Sequence, residues 1–250
     1  MQGFCWGVFQ GFKPRMTHKT TSGAALKMLF NKNQATRRRK MVQNQIEARG
    51  IHTPQILAAM RKVERHLFVR PQHLNFAYKD GPLPIDYDQT ISQPYIVALM
   101  TDLLELTPTS KVLEIGTGCG YQTAILAELA KVVYSVEIIP ALAKRAKARL
   151  EALNYRNVHL KKGNGHHGWQ EYAPYDAVLA AAAPKTVPTQ LVQQLAVGGK
   201  MVIPVGDSEQ NLLLIRKKLQ NGKRSTPSIE ATEVTPVSFV PMTGEPVRVR

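Results

Sequence analysis

The sequence predicts a doubly wound α/β domain, with a mostly parallel sheet between layers of helix. Three observations predict it. From Lys111 onward, short β-branched strands alternate with helices of about ten residues. A glycine-rich turn, Gly116-Thr117-Gly118-Cys119-Gly120, follows the first of those strands. An acid, Glu137, ends the next strand. Strands joined through helices imply parallel pairing with right-handed crossovers.

Residues 1–40 hold nine lysines and arginines and no acid, so they carry +9 of the net +15. They are expected to form a basic, disordered extension to a single domain over residues 41–250. Met41 to Arg49 reads as a short polar helix. Thr53-Pro54 opens the next helix, with a hydroxyl that can cap and a proline suited to the first turn. Ile56, Leu57, Met60 and Val63 then recur at helical spacing. Asp80 to Gln93 is rich in Gly, Pro and Asp and predicts an ordered loop without strand or helix. Pro94 to Leu106 predicts a helix.

The alternation follows. Strands are expected at Lys111–Ile115, Val132–Val136, Val158–Lys161 and Tyr175–Ala181. Helices are expected at Tyr121–Ala130, Ala141–Leu153 and near Thr189–Leu195. Gly198-Gly199 predicts a turn before a strand at Lys200–Val205. Leu212–Lys218 and Glu230–Val240 are expected to end the chain as strands. No internal repeat or second domain boundary is visible.

The bulk properties narrow the class. There is no apolar run of about 18 residues, so no membrane-spanning helix is expected. Two cysteines, Cys5 and Cys119, give neither a disulfide framework nor metal-ligand spacing, which suits the cytoplasm.

In a doubly wound sheet, ligands bind at the carboxyl ends of the strands. The turn at Gly116–Gly120 sits at such an end, and its glycines permit positive φ and close approach. Its Gly-x-Gly-x-Gly spacing lacks the pyrophosphate fingerprint Gly-x-Gly-x-x-Gly. Glu114, within the preceding strand, would repel a pyrophosphate and suit the cationic amino-acid end of S-adenosylmethionine. Glu137 can accept hydrogen bonds from both ribose hydroxyls. Gly163-Asn164-Gly165 ends the third strand where the adenine belongs, and Asn164 can accept from the exocyclic amine.

These motifs resemble the protein-L-isoaspartate O-methyltransferase family, on the Rossmann-like methyltransferase fold. The pieces that carry the resemblance are Asp88-Gln89-Thr90-Ile91-Ser92-Gln93-Pro94-Tyr95, Val112 to Gln122, Val136-Glu137, Gly163 to Trp169, Ala173 to Ala177, Gly198-Gly199, Pro204-Val205-Gly206 and Phe239 to Gly244. They span Met41 to Glu245. The Thr-Ile-Ser-Gln-Pro block is the most specific, since generic methyltransferases lack it. The resemblance implies methyl transfer from S-adenosylmethionine to the α-carboxylate of L-isoaspartyl residues in damaged proteins. The ester then cyclises to a succinimide, whose hydrolysis returns some normal aspartate. It also implies that Gln89, Thr90 and Ile91 close over the cofactor with Gly116, Thr117, Gly118, Cys119, Gly120, Glu137, Asn164 and Gly165. Ser92 stands at the methyl acceptor and Thr243 near the peptide.

Three positions depart from the family pattern. Asn164 replaces Asp, implying weaker adenine binding. Asp88 replaces Gly, implying a strained backbone, and Ala181 replaces a common Thr. Two alternatives stay open: the same cofactor with another acceptor such as RNA, or a degenerate relative that binds protein or nucleic acid without catalysis. Against RNA, no Asn/Asp-Pro-Pro-Tyr-like motif follows the fourth strand, and a nucleic-acid partner is not expected despite the basic tail. The chain is expected to be a monomer without membrane partners. Ser92 also suits a helix cap before Pro94. His166-His167 lacks a nearby third ligand, so no metal is expected. Cys119 reads as a small residue in a tight turn, Trp169 and Tyr175 as packing residues, and the cations of the Ala141–Leu153 helix as a solvated face.

Overall fold

The computed structural model describes residues 23–219 and 227–244, with side chains from residue 31. The helices are α1 (Gly23–Met41), α2 (Pro54–Lys62), α3 (Pro94–Leu103), α4 (Tyr121–Ala127), α5 (Pro140–Ala152) and α6 (Thr189–Gln194). The strands are β1 (Leu83–Asp86), β2 (Gln89–Ile91), β3 (Lys111–Ile115), β4 (Val132–Glu137), β5 (Val158–Lys162), β6 (Tyr175–Ala180), β7 (Leu195–Gly206), β8 (Gln210–Lys218) and β9 (Ser228–Val237).

A seven-stranded sheet runs in the order β5-β4-β3-β6-β7-β8-β9. Strands β3 to β7 pair in parallel, and β8 and β9 add antiparallel at one edge. The doubly wound fold with N-terminal helices and C-terminal strands is therefore the one expected. The chain moves outward from β3 to β5, then returns to place β6 on the other side of β3. That reversal opens a crevice at the carboxyl ends of β3 and β6.

The sheet is covered on both faces, which is why its central strands are almost continuously apolar. On one face Val112, Val133 and Leu179 pack with Ala98, Leu126 and Leu150 of the helices. On the other, Leu113, Val178 and Ala180 pack with Leu191 and Tyr175. The β5–β6 crossover holds only two 3₁₀ turns, Gly165–His167 and Gln170–Tyr172. Rings cover the sheet there: Tyr134 stacks between His159 at 5.0 Å and Tyr172 at 4.4 Å, with Trp169 and Tyr175 edge-on. Trp169 and Tyr175 are packing residues.

Several sequence expectations are corrected. The basic stretch does not end at residue 40 as an extension. Helix α1 runs through it, Gln34 is buried, and Arg38 pairs with Glu64 at 2.8 Å while Arg37 donates to the Asn75 carbonyl. Its cations find partners far along the chain, which local composition does not reveal. Residues 1–22 of the expected extension lie outside the described residues. The Met41–Arg49 helix is the continuation of α1 through a π turn at Val42–Ile46 and a 3₁₀ turn, ending at Gly50 with φ +93°. Helix α2 starts at Pro54, but the Thr53 hydroxyl makes no cap bond.

The Asp80–Gln93 loop contains a hairpin, β1 with β2, in the register Leu83↔Ile91 and Pro84↔Thr90. Tyr87 and Asp88 form its turn at φ +54° and +55°. Paired positive φ values match a type I′ turn, so Asp88 does take the left-handed backbone that glycine would take freely. Strand β7 runs through Gly198-Gly199, which form no separate turn; a register shift between Tyr175 and Ala177 of β6 absorbs the irregularity.

Candidate functional site

One cavity occupies the crevice. Its floor is the end of β3 and the turn after it: Ile115, Gly116, Thr117, Gly118 and Cys119. Gly116, Gly118 and Gly120 hold φ of +90°, +54° and +90°, a path that side chains resist. One wall is the end of β4, from Val136 to Ile139. A second is the β2 segment Gln89 to Ser92, with Tyr121 and Gln122 from α4. Ala181, Ala182 and Val240 to Thr243 close the third. That last segment is hung from the end of β6: Ala183 N–H donates to Val240 O at 2.9 Å and Met242 N–H to Ala183 O at 2.7 Å.

Glu137 is buried and lines the cavity. Its Oε2 accepts from Gly118 N–H at 2.8 Å and its Oε1 from Ile139 N–H at 2.9 Å. Each oxygen keeps lone-pair capacity for one more donor, which suits a vicinal diol. Among the described residues the wall carries this one carboxylate and no lysine or arginine. A pyrophosphate would find no cation here, whereas a sulfonium meets no like charge. The flat apolar surfaces of Ile115, Val136, Ile138 and Met242 suit a purine. The residues present thus fit S-adenosylmethionine.

The hairpin that brings Gln89–Ser92 to the wall is held at several points. Buried Ile85 lies where a Cβ on Gly118 would meet it at 3.4 Å. Asp86 pairs with Arg145 at 2.6 Å and with Arg70. The hydrogen bond from Arg145 keeps its carboxyl below the usual range. At the hairpin's end, Arg65 donates to the Ser92 carbonyl at 2.9 Å.

Of the residues singled out from sequence, Gln89, Thr90, Ile91, Ser92, Gly116, Thr117, Gly118, Cys119, Glu137, Gly165 and Thr243 come together on this cavity. Gly165 sits so close to Ile115 that a Cβ would lie 2.4 Å from its Cγ2. Burial pushes the Cys119 thiol up, in keeping with a packing residue of the turn. Ser92 does not cap α3: the helix's N-cap position is Gln93, and no side-chain cap bond is made there.

Three residues stand elsewhere. Gly120 faces Leu150 and Ala146 of α5 and starts α4. Asn164 does not line the wall; its Oδ1 accepts from His166 N–H at 3.0 Å and caps the turn. Glu114 is wholly buried beneath the turn, away from the cavity wall. Its Oε2 accepts from Thr123 at 2.6 Å and Ser135 at 2.5 Å, and Ser135 also bonds Thr117 at 2.6 Å. The strand's alternation puts Glu114 on the face that α4 covers, under Thr123, so here it braces the turn from below.

Burial pushes the Glu114 carboxyl up to about 8. The folded protein therefore keeps a proton that the unfolded chain, with an ordinary value of about 4.3, releases. Stability from this group is full below about pH 4 and is lost as pH rises toward 8. The Glu114→Gln variant is expected to lose that part of the slope in urea midpoints between about pH 5 and 8. Identical slopes in both proteins would refute the buried proton.

Sequence reasoning missed Arg65 and Ala182 and, although Phe239–Gly244 carried the resemblance and Ala181 stood out as a departure, it did not place Ala181 or Val240–Met242 on the cavity wall. The first has no motif around it. The others are recruited by the bridge between Ala183 and Pro241, a contact between distant parts of the chain.

The family model described as protein-L-isoaspartate(D-aspartate) O-methyltransferase matches residues 36–246. A protein-L-isoaspartate O-methyltransferase of Picosynechococcus sp. is 54% identical over 207 residues, 83% of this chain and 90% of that one. One from Gloeobacter violaceus is 47% identical over 205 residues, 82% of this chain and 98% of that one. A solved protein-L-isoaspartate O-methyltransferase superposes with a TM-score of 0.74 at 27% identity, covering 83% of this chain and 66% of that longer one. A putative Plasmodium falciparum enzyme of this name, solved with S-adenosyl-L-homocysteine, shares the fold with a TM-score of 0.70 at 23% identity, over 82% of this chain and 98% of that one.

Proposed function

The chain belongs to the protein-L-isoaspartate(D-aspartate) O-methyltransferase family, and we propose on that premise that it methylates the α-carboxylate of L-isoaspartyl residues in damaged proteins. The observation that carries this is the meeting of Gln89–Ser92 and Val240–Thr243 over a cavity that contains Glu137. S-adenosylmethionine, when bound, supplies a methyl group on a sulfonium and leaves as a neutral thioether. Glu137 would hold the ribose hydroxyls, with the glycine turn and Gly165 as the other residues that would hold the cofactor.

The acceptor carboxylate is ionised near neutral pH, so no general base is needed. Ser92 donates its hydroxyl hydrogen to that carboxylate and sets one oxygen in line. Ile91, Val240 and Met242 shed water from the reacting atoms, and Thr243 borders the peptide. Succinimide formation and hydrolysis then follow from the ester's own chemistry.

No helix among the described residues is long and apolar enough to cross a membrane. Two cysteines without a disulfide framework support the cytoplasm as the site of action, and we take the working unit to be a monomer. The deciding experiment supplies labelled S-adenosylmethionine with paired peptides bearing L-isoaspartate or L-aspartate. Base-labile label on the isoaspartyl peptide alone is expected. Label on neither peptide, or on both equally, would sink the proposal.

A further inference from the structure

Arg65 heads the fully buried large side chains, with no solvent exposure. It begins the 3₁₀ turn Arg65–Leu67 after α2. Its Nη1 donates to Ala77 O at 2.6 Å, and its Nη2 to Ser92 O at 2.9 Å and Gly81 O at 3.3 Å. Its guanidinium carbon lies 5.6 Å from the centre of the Tyr121 ring. Ser92 and Tyr121 both line the cavity, so the cation stands directly behind that wall.

Among the described residues no carboxylate pairs with it. The neighbours that favour its charge are Tyr121, Cys119 and Tyr78, none of which is an anion near neutral pH. A guanidinium does not shed its proton in a protein, so the charge persists. A buried, uncompensated cation is costly, and neutral donors could tie three carbonyls without it. The cavity wall carries a carboxylate, Glu137, and no cationic side chain, so apart from the cofactor's sulfonium the wall offers an anionic substrate no charge partner.

We infer that Arg65 is the positioning residue for the ionised acceptor: it fixes Ser92 by its carbonyl and sets an unpaired positive charge behind the wall where the substrate carboxylate docks. The arriving carboxylate completes the ion pair across Ser92. This rests on the methyltransferase assignment above. It makes Arg65 a determinant of which charge state of the acceptor is taken.

The test uses the full chain saturated with S-adenosylhomocysteine, whose sulfur is neutral. Two peptides are titrated calorimetrically, identical except that the isoaspartyl α-carboxylate is an α-carboxamide in the second. The wild type is expected to prefer the carboxylate. The Arg65→Gln variant, which keeps donors without charge, should cut that preference about tenfold or more, and Arg65→Lys should hold it within about threefold near pH 6. A structural role alone weakens both peptides equally, and an unchanged preference in Arg65→Gln overturns the inference. Should Arg65→Gln not fold, Arg65→Lys decides alone, because a lysine buried there loses its proton as pH rises. The preference then falls between about pH 6 and 9 in that variant and stays level in the wild type; level profiles in both overturn it. A wild type that binds the two peptides equally refutes the role of Arg65 while methyl transfer still decides the assignment. A wild type that binds neither overturns both.

Discussion

The Glu137→Ala variant is expected to bind S-adenosylmethionine about a hundredfold more weakly, with little change in kcat at saturating cofactor. Each carboxylate oxygen already accepts one backbone N–H, from Gly118 and from Ile139. The remaining lone pairs are what two ribose hydroxyls would use. Hydrogen bonds to a charged group contribute about 1.5–3 kcal/mol each. Losing two, with water partly replacing them, comes to about 2.7 kcal/mol, a hundredfold in Kd. Glu137→Gln should lose almost as much, because its amide NH₂ must face either Gly118 N–H or Ile139 N–H, donor against donor. A cofactor analogue lacking both ribose hydroxyls separates direct contact from mere loosening of the turn. The wild type should bind the analogue poorly, and Glu137→Ala should bind it as well as it binds the intact cofactor. Unchanged Kd for S-adenosylmethionine in Glu137→Ala would sink the ribose assignment.

The meeting of Glu137 and the glycine turn at one cavity was legible because it is set locally. A strand, a turn with positive φ and an acid at the next strand's end are set by neighbouring residues, and the βαβ unit brings them together automatically. Glu114 was misread for the opposite reason. An acid beside such a turn looks available, and only the cover of α4 and β4, with Thr123 and Ser135 bonding it, shows that it lies beneath the turn. Asn164 stands off the cavity wall for a similar reason: its oxygen serves the turn it begins. The hairpin at Leu83–Ile91 was hidden because Pro84, Asp86 and Asp88 interrupt its short strands and Gly81-Pro82 precede them, and tertiary contacts at Ile85 and Asp86 hold what local propensity does not favour. Arg65 and the wall at Val240–Met242 depend wholly on long-range contacts. The sequence could not place them without a neighbour to place them against.

The Ser92→Ala variant is expected to lower kcat/KM for an isoaspartyl peptide roughly ten- to a hundredfold, the value of one hydrogen bond to an ionised carboxylate. Cofactor affinity and Tm should stay as in the wild type. The separation is sharp because of how the residue is built in. Its backbone is fixed independently by Arg65, which holds the Ser92 carbonyl at 2.9 Å. Its hydroxyl makes no cap bond to α3. Removing Oγ therefore deletes a donor on the cavity wall and leaves the path of Gln89–Ser92 unchanged. Ser92→Thr, which keeps the hydroxyl, should recover most of the rate if the added methyl is tolerated beside Val97 and Val240, both on the same cavity. Because the hydroxyl orients the nucleophile, the loss should extend to kcat at saturating peptide and not stop at KM. A kcat unchanged in Ser92→Ala would reduce Ser92 to a binding contact. An unchanged kcat/KM would remove it from the site altogether and leave alignment of the acceptor to the backbone of the hairpin.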